Sequence, residues 1–333
     1  DHPILIDQFI ENAFEFDVDA LCDGEEVFIG GIMQHIEEAG VHSGDSSCVI
    51  PPYEVSDAVK KEIETITAKL ALELKVIGLI NLQFAVKDDK VYVLEVNPRS
   101  SRTVPFVSKY SNVPLANIAA QISVGKSLHD FKLKENNFEH YAVKKAVLPF
   151  KKFKDEKVFL GPEMKSTGEV MGIDRGVAQA FAKSQLGAGI NLPIEGTVFL
   201  SVKDNDKEEL QQIAQELLEL GFKLVATGGT CSYLQEKGLD VQRINKVMEG
   251  QPHIVDAMIN GEIDLVINTT RKNTQAIADA TSIRRQALMN KIPYYTLLTA
   301  ARAGIQAIRA LKNRELDVTP IQEWLNHEGR KVA

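Results

Sequence analysis

From residue 197 onward, short apolar stretches alternate regularly with amphipathic ones. Strand-like segments such as TVFLSV and DLVINTT are separated by helix-like segments such as KEELQQIAQELLEL. That segment places Leu210, Ile213 and Leu217 on one face and stops at Gly221. Parallel strands need a crossover connection, which is usually a helix. The alternation therefore predicts a small, Rossmann-like, doubly wound domain with a parallel sheet.

The first hundred residues show hairpins instead of strand–helix pairs. FEFDVDA at 14–20 alternates apolar and acidic residues and is joined by the turn CDGE to EVFIGGIM, while LINLQFAV and VYVLEVN flank KDDK in the same way. Between the hairpins, apolar residues recur at steps of three and four from Val59 to Leu74, which predicts an amphipathic helix. A Gly- and Pro-bearing stretch at 187–196 is a plausible linker to the second module.

Composition narrows the functional classes. With 333 residues the chain has room for two domains of roughly 150 residues each. Its net charge of −8 argues against a general binder of nucleic acid or anionic membranes. No apolar run approaches the roughly 18 residues of a spanning helix. Three isolated cysteines fit neither disulfide pairing nor a metal motif and indicate a reducing, cytoplasmic setting: Cys22, Cys48 and Cys231.

The segment VYVLEVNPRS at 91–100 carries the chemistry. Both of its faces are apolar, which predicts a strand buried on both sides, yet Glu95 and Asn97 lie near its end and Arg99 follows. Strict alternation puts Val91, Val93, Glu95 and Asn97 on one face. A buried carboxylate is costly without a cation or several donors. We therefore expect a positive charge beside Glu95.

The register of the second hairpin decides which side chains meet Glu95. A two-residue loop, Asp88–Asp89, would set Gln83 opposite Leu94, whereas a three-residue loop, 88–90, sets Gln83 opposite Glu95. We predict the three-residue loop, because it gathers Gln83, Glu95 and Asn97 in one polar cluster. Such oxygen ligands suit Mg²⁺ beside nucleotide phosphates, and Arg99 could neutralise a transferring phosphoryl group. Spacing alone leaves open a strand-end cap and a surface ion pair instead.

Longer strings carry a family resemblance. The sequence from residue 81 to 128, including PRSSRTVPFVSK, resembles the carboxy-terminal half of an ATP-grasp domain, and more narrowly the large chains of carbamoyl-phosphate synthases. GGIMQHIEEAGVHSGDSS and LGPEMKSTGEVMG share this resemblance, which covers essentially the whole chain. It implies an α/β and α+β fold: part of an ATP-grasp domain at 1–125, a connecting segment at 126–190, and a methylglyoxal-synthase-like (MGS-like) allosteric domain at 191–333. Another ATP-grasp carboxylase or ligase would leave the last module unexplained.

The resemblance implies roles for particular residues. Gln83, Glu95 and Asn97 would hold Mg²⁺ or Mn²⁺ at ATP, Arg99 would be catalytic, and K⁺ is a further candidate cation. The nucleotide would be contacted by Gln8 and Ile10 at the adenine, Glu15 at the ribose, and Gly40, Val41, His42 and Ser43 along the loop GVHS, with Gln83 and Glu95 at the phosphates. Taken alone, His42 in a loop is more often simply solvated.

The implied reaction is ATP-dependent phosphorylation of carbamate, made from bicarbonate and glutamine-derived ammonia, for pyrimidine and arginine biosynthesis. A glutaminase small subunit would be the partner. The chain starts at Asp1 without methionine, which predicts a cut inside a larger protein. Because the family's glycine-rich phosphate loop has no counterpart here, we expect negligible synthesis from this chain alone. The alternative for the isolated chain is a non-catalytic, effector-binding module.

The resemblance of the second module to MGS-like regulatory domains implies control by a nucleotide monophosphate such as UMP or IMP, and a homo-oligomer. ATGGT and INTT follow strands, at the sheet edge where α/β domains bind ligands. The candidate effector residues offer hydroxyls, an amide and positive charge: Lys207, Thr227, Thr230, Lys246, Asn268 and Thr270. Each threonine alone could merely cap a helix. The catalytic acids of methylglyoxal synthase have no counterpart at matching positions, so we expect no catalysis by this module.

One departure concerns ornithine. In ornithine-responsive relatives, acids matching Glu37 and Asp45 and a threonine matching Thr296 act with a further glutamate, which falls here on Lys145 or, with a shifted gap, on Lys144. A lysine would repel the cationic amine of ornithine. Activation by ornithine is therefore not expected.

Overall fold

The computed structural model describes residues 4, 6, 10, 13–37, 39–133, 138–148, 163–270 and 274–326. The chain divides into two units: residues 1–43, 47–141 and 319–333 form the first, and residues 44–46 and 142–318 form the second. Among the described residues, every helix is too short or too polar to cross a membrane.

The first unit is built on antiparallel strands in the order β5-β4-β1-β2-β3. Phe16 and Val18 of β1 pack with Leu82 and Phe84 of β4 in its core, against the buried face of α1. Its elements are β1 Phe14–Cys22, β2 Val27–His35, β3 Cys48–Ile50, α1 Asp57–Glu73, β4 Gly78–Lys87, β5 Lys90–Asn97, α2 Val104–Ser111 and α3 Leu115–Ser123. Both predicted hairpins, β1–β2 and β4–β5, are confirmed.

The β4–β5 hairpin corrects the predicted loop but keeps the predicted pair. Lys87 pairs with Lys90, so the loop has two residues, Asp88 and Asp89, and both adopt positive φ (50° and 58°). Gln83 nevertheless lies opposite Glu95, because the register shifts between Gln83 and Phe84 and the strand β5 gains one residue there. The three-residue loop was wrong; a β-bulge performs the same shift.

The apolar composition of β5 predicted a strand buried on both sides, and this prediction is wrong. Tyr92, Val93 and Leu94 are 41%, 44% and 50% exposed, and Glu95 is exposed as well. The bulge also breaks the predicted face: Val91 and Val96 pack partly against the core, whereas Glu95 and Asn97 follow Gln83 and Asn81 on the opposite side. Glu95 therefore needs no buried cation to offset its desolvation.

The second unit contains the predicted parallel sheet, with five strands in the order β10-β9-β8-β11-β12. Gly221, at φ 87°, ends α5 as expected. Its elements are β6 Tyr141–Val147, β7 Gly168–Asp174, α4 Val177–Gly187, β8 Thr197–Ser201, α5 Lys207–Glu219, β9 Lys223–Ala226, α6 Gly228–Glu236, β10 Gln242–Arg243, α7 Ile254–Ile259, β11 Leu265–Asn268, α8 Thr274–Met289, β12 Tyr294–Tyr295 and α9 Leu298–Asn313. The strand β7, which pairs beside β6, was not predicted from the sequence.

The last helix, α10 (Ile321–Asn326), belongs to the first unit and brings Trp324 to an aromatic cluster. The His140 ring lies 5.3 Å from Tyr110, 4.8 Å from Phe138 and 5.5 Å from Trp324, measured between ring centroids. His140 is 4% exposed, and burial lowers the pKa of its imidazole to about 4. The ring is therefore neutral in the folded protein at neutral pH.

This cluster predicts an acid-sensitive contribution to stability. In unfolded chain His140 titrates near 6.5, so between pH 6.5 and about 4 the unfolded state binds more protons than the folded state. The free energy of unfolding must therefore decrease by roughly 3 kcal/mol as the pH is lowered from 6.5 to about 4. His140→Phe should remove this loss, whereas the control His129→Gln, at an exposed histidine, should keep it. Denaturant unfolding of the three proteins at pH 7 and pH 4.5 measures the effect, and equal losses in all three would contradict it.

Candidate functional sites

One face of the first sheet is polar across three neighbouring strands. Asp17 of β1 lies opposite Gln83 of β4, which lies opposite Glu95 of β5. One step along the strands, Asp19 lies opposite Asn81, which lies opposite Asn97. Residues directly opposite in a ladder share a face. The structure thus brings together the three predicted metal ligands Gln83, Glu95 and Asn97.

These three side chains can offer oxygen ligands to a cation. Within the described residues, the Glu95 carboxylate and the Asn97 side-chain amide have no hydrogen bond or ion pair. Gln83 donates from Nε2 to Ser43 Oγ over 3.0 Å, which orients its amide and leaves Oε1 to accept. A carboxylate with amide oxygens is a donor set that suits Mg²⁺. The residues present fit that ion.

The loop GVHS is tied to this face at both ends. The backbone N–H of Gly40 donates to Glu15 Oε1 over 3.2 Å, and Ser43 accepts from Gln83. Two candidate nucleotide-binding residues on the strands, Glu15 and Gln83, are therefore hydrogen-bonded to two on the loop. Val41 is buried and His42 is half-buried.

The remaining candidates in this unit are less constrained. Ile10 is half-buried, and Gln8 lies outside the described residues. Arg99 is exposed and follows β5, where its Nη1 donates to Ser100 O over 3.0 Å. Its guanidinium retains further donors for an anion.

A buried cluster that the sequence reasoning missed lies beside Glu15. His35 Nε2 is 3.1 Å from Asp17 Oδ2, and His35 Nδ1 is 3.3 Å from Glu15 Oε2. Burial opposes charging of this imidazole, but Cys48, Asp17 and Glu15 together outweigh it and hold the pKa of His35 well above its usual value. The acids of FEFDVDA were the available signal, since they alternate onto one face.

The same cluster contains groups that bind transition metals elsewhere. One ligand-type atom each of Asp17, His35 and Cys48 lies within 4.8 Å of the others. A metal-bound imidazole must be neutral and offer a lone pair. Carboxylates beside both ring nitrogens favour a hydrogen on each, so this cluster is an ion-pair network that fixes Glu15.

In the second unit, a cavity of about 310 Å³ opens at the carboxyl ends of β8, β9 and β11. It is lined by all six predicted effector residues, Lys207, Thr227, Thr230, Lys246, Asn268 and Thr270. Sequence reasoning missed further lining groups: Ser201, Lys203, Asp204, Thr269 and Asp279. Three lysines face two aspartates, so the lining favours an anion.

The threonines of this cavity make contacts other than helix capping. Thr227 is the N-cap residue of α6, yet its side chain makes no capping bond among the described residues and lies 3.0 Å from Ser201 Oγ instead. Thr230 Oγ1 accepts from the backbone of Val202 over 3.2 Å. Gly229, in the first turn of α6, also lines the cavity, and the amino terminus of a helix favours a phosphate.

Arg284 supports the far side of the cavity. Its Nη2 donates to Asn268 O over 2.8 Å and to Thr270 Oγ1 over 2.7 Å. Burial lowers the pKa of Arg284 to about 10, so it remains charged at neutral pH. Arg284 lies on α8, 16 residues after Asn268, and no motif in the sequence indicated this contact.

The residues that match the ornithine set are held by their own neighbours. Glu37 accepts from the backbone and the hydroxyl of Ser47, over 2.6 and 3.1 Å, within the first unit. Asp45 accepts the backbone N–H groups of Lys165 and Ser166, each over 2.8 Å, within the second. Lys144 is fully buried on β6, with Nζ 3.9 Å from Glu169. Lys145 is half-buried on the same strand.

Two family models match this chain, one near its amino terminus and one in its second half. Residues 1–131 match the family model "Carbamoyl-phosphate synthase L chain, ATP binding domain", and residues 209–296 match "MGS-like domain". The chain thus joins part of an ATP-grasp domain to an MGS-like domain.

Curated relatives narrow the family. The chain is 51% identical to the carbamoyl phosphate synthase large chain of Rhizobium meliloti over 97% of its own length and 28% of that protein's. It is 53% identical to the large chain of Methanobrevibacter smithii, over 98% of its own length and 31% of that protein's. The chain belongs to the carbamoyl phosphate synthase large-chain family and spans less than a third of the length of these relatives.

Similarity to solved structures is weaker. The biotin carboxylase domain of a single-chain bacterial carboxylase has a TM-score of 0.42 and 17% identity, covering 52% of this chain and 45% of that one. So distant a likeness supports no functional conclusion.

The His35 network predicts a large effect of one substitution. His35→Gln should lower the free energy of unfolding by about 3–5 kcal/mol, because Asp17 and Glu15 lose the cation between them. The folded pKa of His35 lies above its unfolded value of 6.5, so this contribution is complete below pH 6.5 and declines as pH rises toward the folded pKa. Denaturant unfolding at pH 6 and pH 9 measures both statements. His129→Gln is the exposed control, and an equally small effect of the two variants would contradict the network.

Proposed function

We propose that this chain is the part of a carbamoyl phosphate synthase large chain that carries the metal-binding half of an ATP site and an allosteric domain. The observation that carries the proposal is the alignment of Gln83, Glu95 and Asn97 on one face of adjacent strands, beside the loop that holds Gly40 and Ser43. Family membership supports it.

The proposed reaction is phosphorylation of carbamate. A carbamate oxygen attacks the γ-phosphorus of ATP, the bond to the β–γ bridging oxygen breaks, and carbamoyl phosphate and ADP result. Mg²⁺ held by Gln83, Glu95 and Asn97 would neutralise charge on the phosphates. Mn²⁺ accepts similar oxygen ligands and is proposed as an alternative ion, with K⁺ as a further cation.

The chain's own residues position the reactants. Glu15, fixed by Gly40 and His35, is proposed to accept from the ribose. Gln8 and Ile10 are proposed as the contacts of the adenine. Val41, His42 and Ser43 would line the nucleotide beside them. Arg99 would bind the transferring phosphoryl group through its forked donors. Catalysis is then mainly a matter of orientation and charge.

Carbamate would come from bicarbonate and ammonia, with the ammonia supplied by a glutaminase small subunit. The product would serve pyrimidine and arginine biosynthesis. These assignments rest on the relatives that share the chain's sequence. Within this chain, the metal-site residues and Arg99 are the groups that the reaction would require.

The second unit is proposed to bind a nucleotide monophosphate as an effector, with UMP and IMP as the candidates. A phosphate would be held at the start of α6 by Thr227 and Thr230 and by Lys207 and Lys246. A homo-oligomer through this domain is part of the proposal. Alone, without the rest of a large chain, the protein would bind effector and perform no chemistry.

The metal site is tested in the intact synthase. Glu95→Gln should slow ATP formation from ADP and carbamoyl phosphate by roughly 10–100-fold or more, since outer-shell changes at metal sites already cost that much. Glu73→Gln changes an exposed glutamate on α1 and should leave the rate unchanged. Full activity of the Glu95 variant would remove the assignment.

The effector site is tested by thermal unfolding of this chain. UMP or IMP at about 100 times its Kd should stabilise the second unit by roughly 2.7 kcal/mol, whereas Mg-ATP should not. Lys207→Ala should abolish most of this shift. Lys223→Ala, at an exposed lysine outside the cavity, should preserve it. Stabilisation by neither monophosphate would refute the proposed effector class.

A further inference from the structure

Asp19 is a fully buried carboxylate on β1 that accepts hydrogen bonds from a segment more than 80 residues further along the chain. Its Oδ1 accepts from Ser101 Oγ over 2.6 Å and from Asn81 Nδ2 over 3.0 Å, and its Oδ2 accepts from Thr103 Oγ1 over 2.5 Å. Both hydroxyls come from the stretch that links β5 to α2. Burying a carboxylate is costly, and these donors offset that cost.

Asp19 occupies a regular position of β1 in its ladder with β4. The register between β1 and β2 shifts beside it, because β2 carries one extra residue, Gly30, between the partners of Asp19 and Ala20. The three groups are also mutually close, since Ser101 Oγ and Thr103 Oγ1 lie 2.8 Å apart.

Thr103 contacts Asp19 and does not cap its own helix. It is the N-cap residue of α2, where a threonine hydroxyl normally accepts from the first turn. In the described structure its side chain makes no capping bond, and its hydroxyl donates to Asp19. A local role in starting α2 therefore does not explain the contact.

The segment bound to Asp19, residues 98–103, carries the proposed catalytic arginine. Arg99 stands two residues before Ser101, and its backbone N–H donates to Asn97 O over 2.7 Å. The segment is thus fixed at one end by the pairing of Asn97 with Asn81, and at the other by Ser101 and Thr103 on Asp19. Asn81 belongs to both attachments, through its ladder position and its bond to Asp19.

We propose that Asp19 is a positioning residue for phosphoryl transfer, which fixes the backbone that carries Arg99 through the hydroxyls of Ser101 and Thr103. It touches no reactant; it limits where the guanidinium can be placed relative to Glu95 and Asn97. The inference rests on the function proposed above. A shift of about 1 Å at a positioned group can cost 100-fold in rate, so loosening this segment should lower turnover.

The test uses the intact synthase and the reverse reaction, ATP formation from ADP and carbamoyl phosphate. Ser101→Ala and Thr103→Val should each lower kcat by about tenfold, and the double variant by about 100-fold, with the KM for ADP changed less than threefold. Thr103→Ser keeps the hydroxyl and should restore kcat to near the parent value. Ser100→Ala, at the exposed neighbouring serine, is the matched control and should be without effect.

A merely structural role would give a different result. If the double variant lowers kcat only in proportion to a lost folded fraction, as measured by thermal unfolding, or if Thr103→Ser is as slow as Thr103→Val, the positioning role is wrong. A double variant within threefold of the parent kcat overturns it as well. Failure of the proposed function gives a separate result. If that function is wrong, Glu95→Gln and Arg99→Gln keep the full rate; if it is right, both variants are slow whatever the result for Ser101 and Thr103.

Discussion

The pairing of Gln83 with Glu95 is the constraint on which the first unit's site depends. A tight Asp88–Asp89 turn alone would carry Glu95 to the face that packs against α1, since a shift of one residue reverses every side chain. One extra residue in β5 returns Glu95 and Asn97 to the face of Asp17 and Asp19. The hydrophobic core and the polar site can therefore share two strands, because the bulge lets each keep its own face.

Patterns of local origin were predictable. The strand–helix alternation after residue 197 and the cavity at its strand ends follow from periodicity and from the rules of parallel sheets. The Gln83–Glu95 pair was predicted from chemistry, but its loop was not, because positive φ at two successive aspartates competes closely with a longer turn. The exposure of Tyr92 and Leu94 was also missed, since apolar composition does not say whether a strand lies at an edge.

Contacts between distant positions were beyond the sequence. Asp19 and Ser101 are 82 residues apart, and Arg284 of α8 donates to Thr270, 14 residues before it. Nothing in DVDA or SSRT announces that these groups meet, because each motif is also compatible with a solvated surface. The alternation of acids in FEFDVDA did indicate a polar face. Which acid meets His35 and which meets the hydroxyls follows only from the register of three strands.

Two of the three lysines that line the second unit's cavity have acidic partners. Lys207 Nζ lies 3.0 Å from Asp204 Oδ1, and Lys203 Nζ lies 3.3 Å from Asp206 Oδ1. An anion that binds these lysines must displace aspartates three residues away in the sequence. Its binding free energy therefore includes only the difference between the new ion pair and the one that it replaces. An anion held in this way would bind reversibly, so the occupancy of the cavity would follow the concentration of the free ligand.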